Sequence, residues 1–196
     1  DNVKWLIIDE GHIGIEMTKR IMEAMPQAKL LVLTATPYTQ KGLGLGAICD
    51  VVCNTLTDAE AVAQGWKLKT KIFCEGKAPI QAKVSSTGDY TSKSVAEALA
   101  KLGDNVVSKW EKYGEDRTTV VYCPTIEFAH NVAAQFRKEG YPCAVINSEH
   151  PTHKPTNEYG TEEDLKSILE RYRTGDFKIL CNVGMLTIGY DLPSIG

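Results

Sequence analysis

No stretch of this sequence approaches the roughly 20 consecutive apolar residues that span a bilayer. Its first residues, Asp1-Asn2-Val3-Lys4-Trp5, lack the basic region and long apolar stretch of a secretory signal. The expectation is an intracellular (cytoplasmic) protein with no membrane partner. An excess of positive charge is also missing: 22 Lys and Arg stand against 25 Asp and Glu, a formal net charge of −3. That balance argues against a chain that coats nucleic acid by bulk charge, while leaving room for a local basic groove. Aromatic residues are few, at 8%, and scattered, without the pattern of a platform for stacking single-stranded bases. None of the six cysteines forms a Cys-x-x-Cys pair. Cys74, Cys123, Cys143 and Cys181 lie in apolar, strand-like runs, the setting of buried reduced thiols. Cys49 and Cys53 have no second His/Cys pair at a zinc-like spacing. Internal repeats and low-complexity tracts are absent. So is the Gly-x-x-x-x-Gly-Lys-Ser/Thr loop that cradles phosphates; the glycines at 42, 44 and 46 lack its Lys-Ser/Thr ending and read as a surface loop. There is no initiator Met, which suggests a piece of something longer.

What is present is an ordinary folded composition: 196 residues, 43% hydrophobic and 24% charged. The length suits one domain or two small ones. Residues 3–8 form a short apolar run ending at Asp9-Glu10, as a buried parallel strand does. A helix over 14–25 closes at Pro26, and a second strand over 29–33 ends at Thr34-Ala35-Thr36-Pro37. Short strands are expected over 50–56 and, exposed, over 67–72, with a Thr57-capped helix between them. After a loop over 76–92 comes one long helix over 94–113. Strand, helix, strand, helix and strand then follow at 118–123, 126–139, 143–147, 162–173 and 177–182. Residues 148–160, with His150 and His153 around Pro151, read as a polar loop longer than most connections. Alternating strands and helices of these lengths mean an α/β fold with mostly parallel sheet.

The residues that carry chemistry gather at strand ends. Asp9-Glu10-Gly11-His12 follows the first strand, where α/β proteins bind ligands. An Asp there can hold Mg²⁺ against phosphate oxygens, and the next Glu can deprotonate a water. By the chain order, Thr34 and Thr36 should lie beside them, offering short hydroxyls to the carboxylates or to His12. Pro124 and Thr125 mark the start of a helix whose backbone donors and dipole suit a phosphate. His130, the lysines at 67, 69 and 71, and Arg171 and Arg173 read as surface or structural residues.

Asp9-Glu10-Gly11-His12 and Thr34-Ala35-Thr36-Pro37 resemble motifs II and III of superfamily-two helicases of the DExH type. In order, Val120-Val121-Tyr122-Cys123-Pro124-Thr125 resembles motif IV, and the stretch from Asn182 to Pro193 resembles motif V. Lys41-Gly42-Leu43-Gly44, Gln64-Gly65-Trp66 and Gly88-Asp89-Tyr90 look like the subgroup related to type III restriction motors, the XPB group and the bacterial RadD helicase. The resemblance covers essentially the whole chain. It implies two RecA-like lobes: the C-terminal part of the first over 1–66 and most of the second over 67–196. It implies ATP and Mg²⁺ as cofactors and nucleic acid as partner, DNA favoured over RNA. By the resemblance Asp9 coordinates Mg²⁺ through water, Glu10 is the general base, and His12 couples the nucleotide site to motif III. Thr34 and Thr36 relay the ATP state. Pro124, Thr125 and Thr187 contact nucleic acid, and Gly189 and Asp191 approach ATP.

The family's phosphate-loop lysine and its arginine-rich motif VI are missing, so the expectation is a piece running from motif II to motif V that by itself hydrolyses ATP negligibly. An unpaired sheet edge and uncovered apolar surface should accompany it, with marginal stability or association. Two rival readings stand beside the helicase: a double-strand translocase of a restriction system, and a catalytically inactive RecA-like scaffold.

Overall fold

The computed structural model describes residues 3–39, 42–54, 56–74, 82–85, 90–101, 106–148 and 154–186. The chain divides into two compact units, Asp1–Lys69 and Thr70–Gly196, each with its own α/β architecture. Parallel strands joined through helices appear in both.

In the first unit, β1 (Trp5–Asp9) leads through α1 (Ile15–Ala24) to β2 (Lys29–Leu33), and the strands pair in parallel from Trp5↔Lys29 to Asp9↔Leu33. Pro26 follows the C-cap Met25, because a proline inside the helix would lose a donor and clash with the preceding turn. Residues alternate between sheet faces. Leu6, Ile8, Leu30 and Val32 are half-buried on one face, while the other exposes Trp5, Ile7, Leu31 and Leu33, from 44% at Leu31 to 61% at Ile7. Parallel strands are usually covered on both faces, so this face is apolar surface without a cover among the described residues. The short helix α2 (Asp58–Ala63) starts with a reciprocal cap, the Thr57 hydroxyl accepting the Glu60 N–H and the Glu60 carboxylate accepting the Thr57 N–H.

The second unit holds the larger core. Helices α3 (Ser92–Lys101) and α4 (Val106–Tyr113) precede β3 (Thr119–Tyr122), α5 (Ile126–Lys138), β4 (Cys143–Asn147), α6 (Leu165–Thr174) and β5 (Ile179–Val183). The sheet runs in the order β3-β5-β4, all parallel, with β5 central. One face packs Cys123, Cys143, Val145, Ile179 and Cys181 against Ala129, Val132, Ala133 and Phe136 of α5. The other packs Ala144, Ile146 and Leu180 against Ile168 and Tyr172 of α6 and Phe177. Asp164 caps α6 by accepting the Lys166 and Ser167 N–H groups, and Gly175 ends it at φ 86°.

The structure corrects several expectations. Of the helix expected over 94–113, the structure describes the helical segments Ser92–Lys101 and Val106–Tyr113; residues 102–105, including Leu102, lie outside the described residues. No strand forms over the described parts of 50–56 and 67–72: Val51, Val52, Leu68 and Ile72 are exposed, and alternation without a pairing partner makes no ladder. Cys74 is exposed rather than buried, and Cys53 is exposed as well. The polar loop before α6 is in part an ordered clip. Thr156 exchanges backbone hydrogen bonds with Val145 at 2.8 and 2.9 Å, and the Cys143 N–H donates to the Glu158 carbonyl at 3.2 Å, so the outer edge of β4 is covered. Arg137 staples this clip to α5, donating to the carbonyls of Cys143 and Asn157 and to the Thr156 hydroxyl at 2.9 to 3.2 Å. His150 and His153 lie outside the described residues. No helix among the described residues is long and apolar enough to cross a membrane.

Candidate functional site

The parallel register makes β1 and β2 end together, Asp9 opposite Leu33, and the Gly11 N–H extends the ladder by donating to the Leu33 carbonyl at 3.3 Å. Asp9-Glu10 and Thr34 therefore leave the sheet side by side. The turn is tight. Glu10 sits at φ 50°, a left-handed conformation uncommon for a side chain of its size. It is held by the Asp9 Oδ1, which accepts its N–H at 2.9 Å, and by the Ile13 N–H, which donates to its carbonyl at 2.9 Å. Gly11 is buried, and a Cβ there would lie 2.4 Å from Val32 Cγ1, so only glycine fits between the strands.

His12 joins the two strand ends. Its Nδ1 lies 2.8 Å from Thr34 Oγ1 and 3.4 Å from Glu10 Oε2. Thr34 Oγ1 also lies 3.0 Å from both the N–H and the carbonyl oxygen of Thr36. A hydroxyl has one proton and two lone pairs. With that proton on the Thr36 carbonyl, the hydroxyl accepts from the Thr36 N–H and from an Nδ1–H of His12. The nearby Glu10 carboxylate, an acceptor only, favours the same tautomer. Thr36 thus takes part through its backbone; among the described residues its hydroxyl has no partner. The structure brings Glu10, His12 and Thr34 into one contact chain, with Asp9 at its head.

Could a divalent cation sit here? Among the described residues no group of three or more His, Cys, Asp or Glu could hold a metal ion. A cation at Asp9 would take most of its ligands from water and from a bound phosphate. Mg²⁺, which keeps several waters and uses one or two carboxylates, fits that donor set, and soft or fully caged metals do not.

In the second unit, Pro124 and Thr125 stand between β3 and α5. The Cys123 N–H donates to the Asn182 carbonyl at 2.9 Å, fixing the strand exit, and Thr125 Oγ1 caps α5 by accepting the Phe128 N–H at 3.2 Å. Glu127 already occupies the first helical turn, where negative charge complements the dipole. Thr187, Gly189 and Asp191 lie outside the described residues, as do Lys41, Gly88 and Asp89. Asn182, the first residue of the motif V stretch, has a structural part that its residue type alone did not reveal. It is 1% exposed, and its Oδ1 accepts the N–H groups of Met185 and Leu186 at 3.0 Å each. The available signal was an Asn at a strand end just ahead of a glycine, a common way to start a turn.

No family model matches the chain. It is 27% identical over 191 residues to the "51.5 kDa protein" of Lactococcus phage (isolate 7-9), aligning 96% of this chain with 40% of that protein. It is 24% identical over 204 residues to the "Putative mitochondrial ATP-dependent helicase irc3" of Schizosaccharomyces pombe, aligning 99% of this chain with 32% of that protein. The chain spans less than half the length of both relatives. Nearly its whole length is thus distantly similar to part of a helicase-named protein.

Proposed function

We propose that this chain is part of the motor core of an ATP-dependent nucleic-acid helicase or translocase, spanning motif II to motif V of a DExH-type superfamily-two protein. The first compact unit is the C-terminal part of the first RecA-like lobe and the second unit is most of the other lobe. The observation that carries this reading is the contact of His12 Nδ1 with Thr34 Oγ1 at 2.8 Å, which ties an acidic strand end to the neighbouring one. A solvated acidic turn has no need of such a relay. The similarity to a helicase-named relative points the same way.

In this reading Asp9 holds Mg²⁺ through water, and Glu10 takes the proton of the attacking water. His12 reports to Thr34 and, through the Thr36 backbone, to the chain beyond. Pro124, Thr125 and Thr187 grip nucleic-acid phosphates, contacts that position without reading sequence. Gly189 and Asp191 face the nucleotide from the second lobe. The chemistry that ATP with Mg²⁺ would supply when bound is phosphoanhydride hydrolysis; in this reading the lobes would close on binding and be released on hydrolysis. No phosphate-loop lysine is among these 196 residues, so the chain alone hydrolyses ATP negligibly in this account.

The test is ATP hydrolysis by the full-length protein with and without nucleic acid. Stimulation by DNA more than by RNA is expected; ATP turnover that ignores both would overturn the motor reading. Strand displacement compared with triplex displacement then separates a helicase from a double-strand translocase. Nucleic-acid binding without turnover would leave the inactive scaffold.

A further inference from the structure

A cavity of about 220 Å³ lies at the amino end of β5, the end of the second sheet away from Pro124 and Thr125. It is smaller than the roughly 300–1,000 Å³ of small-molecule pockets and suits a single side chain. Trp110, Tyr141, Phe177 and Ile179 give it an aromatic and apolar lining. The Trp110 indole N–H is already spent on Thr119 Oγ1 at 2.8 Å, so what Trp110 offers is ring surface. The fold itself sets a guanidinium against this wall: Arg171 Cζ lies 5.9 Å from the Phe177 ring centroid. The rim is acidic. Asp116 and Asp176 line it, and Lys178 beside them is held in an ion pair by Asp116. Tyr141 brings in a further carboxylate, its hydroxyl donating to Glu111 at 2.8 Å. That bond, then burial, then the charges of Glu111, Asp116 and Glu139 raise the phenol above the ordinary tyrosine range. Arg171, 3.7 Å from Asp176, is shared with Glu158 and Glu163 and does not neutralise the rim.

We propose that this cavity docks a basic partner protein by taking one arginine side chain against Trp110 and Tyr141, its guanidinium meeting Asp176 and Glu111. Aromatic faces attract cations, and a recess of this size accepts the apolar stem behind the charge. Arginine fits better than lysine, because its planar head stacks on rings and forks onto carboxylates. Nucleic acid carries the wrong charge for such a rim. The occupant would sit at the end of the sheet away from Pro124 and Thr125, so it would leave those residues free. The site asks nothing of the motor reading and stands or falls without it.

The experiment uses the full-length protein, as wild type and as the double variant Glu111→Gln with Asp176→Asn. Glutamine keeps an acceptor for the Tyr141 hydroxyl, and asparagine keeps one for the Thr174 hydroxyl that Asp176 accepts at 3.0 Å, so charge is lost without packing. The probe is a pool of fluorescent pentapeptides with arginine fixed at the centre and a photo-crosslinker beside it; a second pool has glutamate at the centre. The arginine pool should bind, cross-link within 110–116, 141–142 or 175–179, and weaken as salt is raised. Its affinity should fall about tenfold in the double variant, the effect of losing two partly exposed charge contacts. The glutamate pool should not bind, and a single-stranded oligonucleotide should not displace the arginine pool. No binding of the arginine pool, cross-links elsewhere, equal affinity in the double variant or equal binding of the glutamate pool would each overturn the proposal. Displacement by the oligonucleotide would overturn it too, and would give the cavity to nucleic acid instead.

Discussion

His12 Nδ1 and Thr34 Oγ1 lie 2.8 Å apart, 22 residues apart in sequence, and this contact makes one unit of the two strand ends in the first sheet. Glu10 Oε2, 3.4 Å from the same nitrogen, brings the acidic turn into it. Thr34→Val removes the hydroxyl and with it the bonds to His12 and to Thr36; Thr34→Ser keeps them. In the full-length protein, nucleic-acid stimulation of ATP hydrolysis should fall about tenfold in the valine variant and stay within about threefold in the serine variant. Equal stimulation in wild type and Thr34→Val would show that the contact carries nothing between the strands.

Gly11 makes a second, steric demand on the same turn. A Cβ at 11 meets Val32 Cγ1 at 2.4 Å, and a β-branched side chain in a strand has little room to turn away. Gly11→Ala should destabilise the β1–β2 pair by about 1–3 kcal/mol, the usual cost of overpacking. Val32→Ala in the same chain should recover most of that loss. A double-mutant cycle read by hydrogen exchange at β1 and β2 tests this, and purely additive effects would refute the clash.

The thiols should react in an order set by burial. Cys53 and Cys74 are exposed, Cys49 is half-buried, and Cys143 and Cys181 are completely buried with their sulfurs 3.7 Å apart. Hydrogen bonding to Cys123 and Cys143, and then burial, push the Cys181 thiol far above the ordinary cysteine range, and burial first also raises Cys49. The thiolate is the reactive form. Iodoacetamide labelling followed by mass spectrometry should therefore modify Cys53 and Cys74 first and Cys49 later. Cys123, Cys143 and Cys181 should be labelled only on unfolding. Early labelling of Cys181 would contradict the packing of β5 under α5.

Much of this was legible in the sequence because it rests on local pattern. The apolar run before Asp9 and the stop at Pro26 each reflect a constraint within a few residues. The misreadings share one cause, a dependence on partners distant in the chain. Lys67 to Ile72 alternates like an edge strand, yet no strand among the described residues pairs with it. The 154–163 clip looks like a loop because part of its order comes from β4 and from Arg137, which lie outside it in the chain. At the site, the acidic pair and the threonines could be picked out by residue type. Gly11 against Val32, and the two bonds to Asn182 Oδ1, could not, because packing distance and a buried acceptor leave no mark in spacing. The strand ends that meet through His12 and Thr34 were expected from chain order; the particular bond needed the register.

The central claim is that Glu10, in the acidic turn after β1, supplies the base for ATP hydrolysis in a nucleic-acid-stimulated, ATP-driven motor. Its most direct test is Glu10→Gln in the full-length protein, with ATP binding and nucleic-acid-stimulated hydrolysis measured on the same preparation. Glutamine keeps the shape of the side chain and loses the base, so hydrolysis should fall by about 10²–10⁴-fold, the typical contribution of a positioned proton acceptor, while ATP binding persists. Stimulated hydrolysis that continues at the wild-type rate in Glu10→Gln would contradict the account.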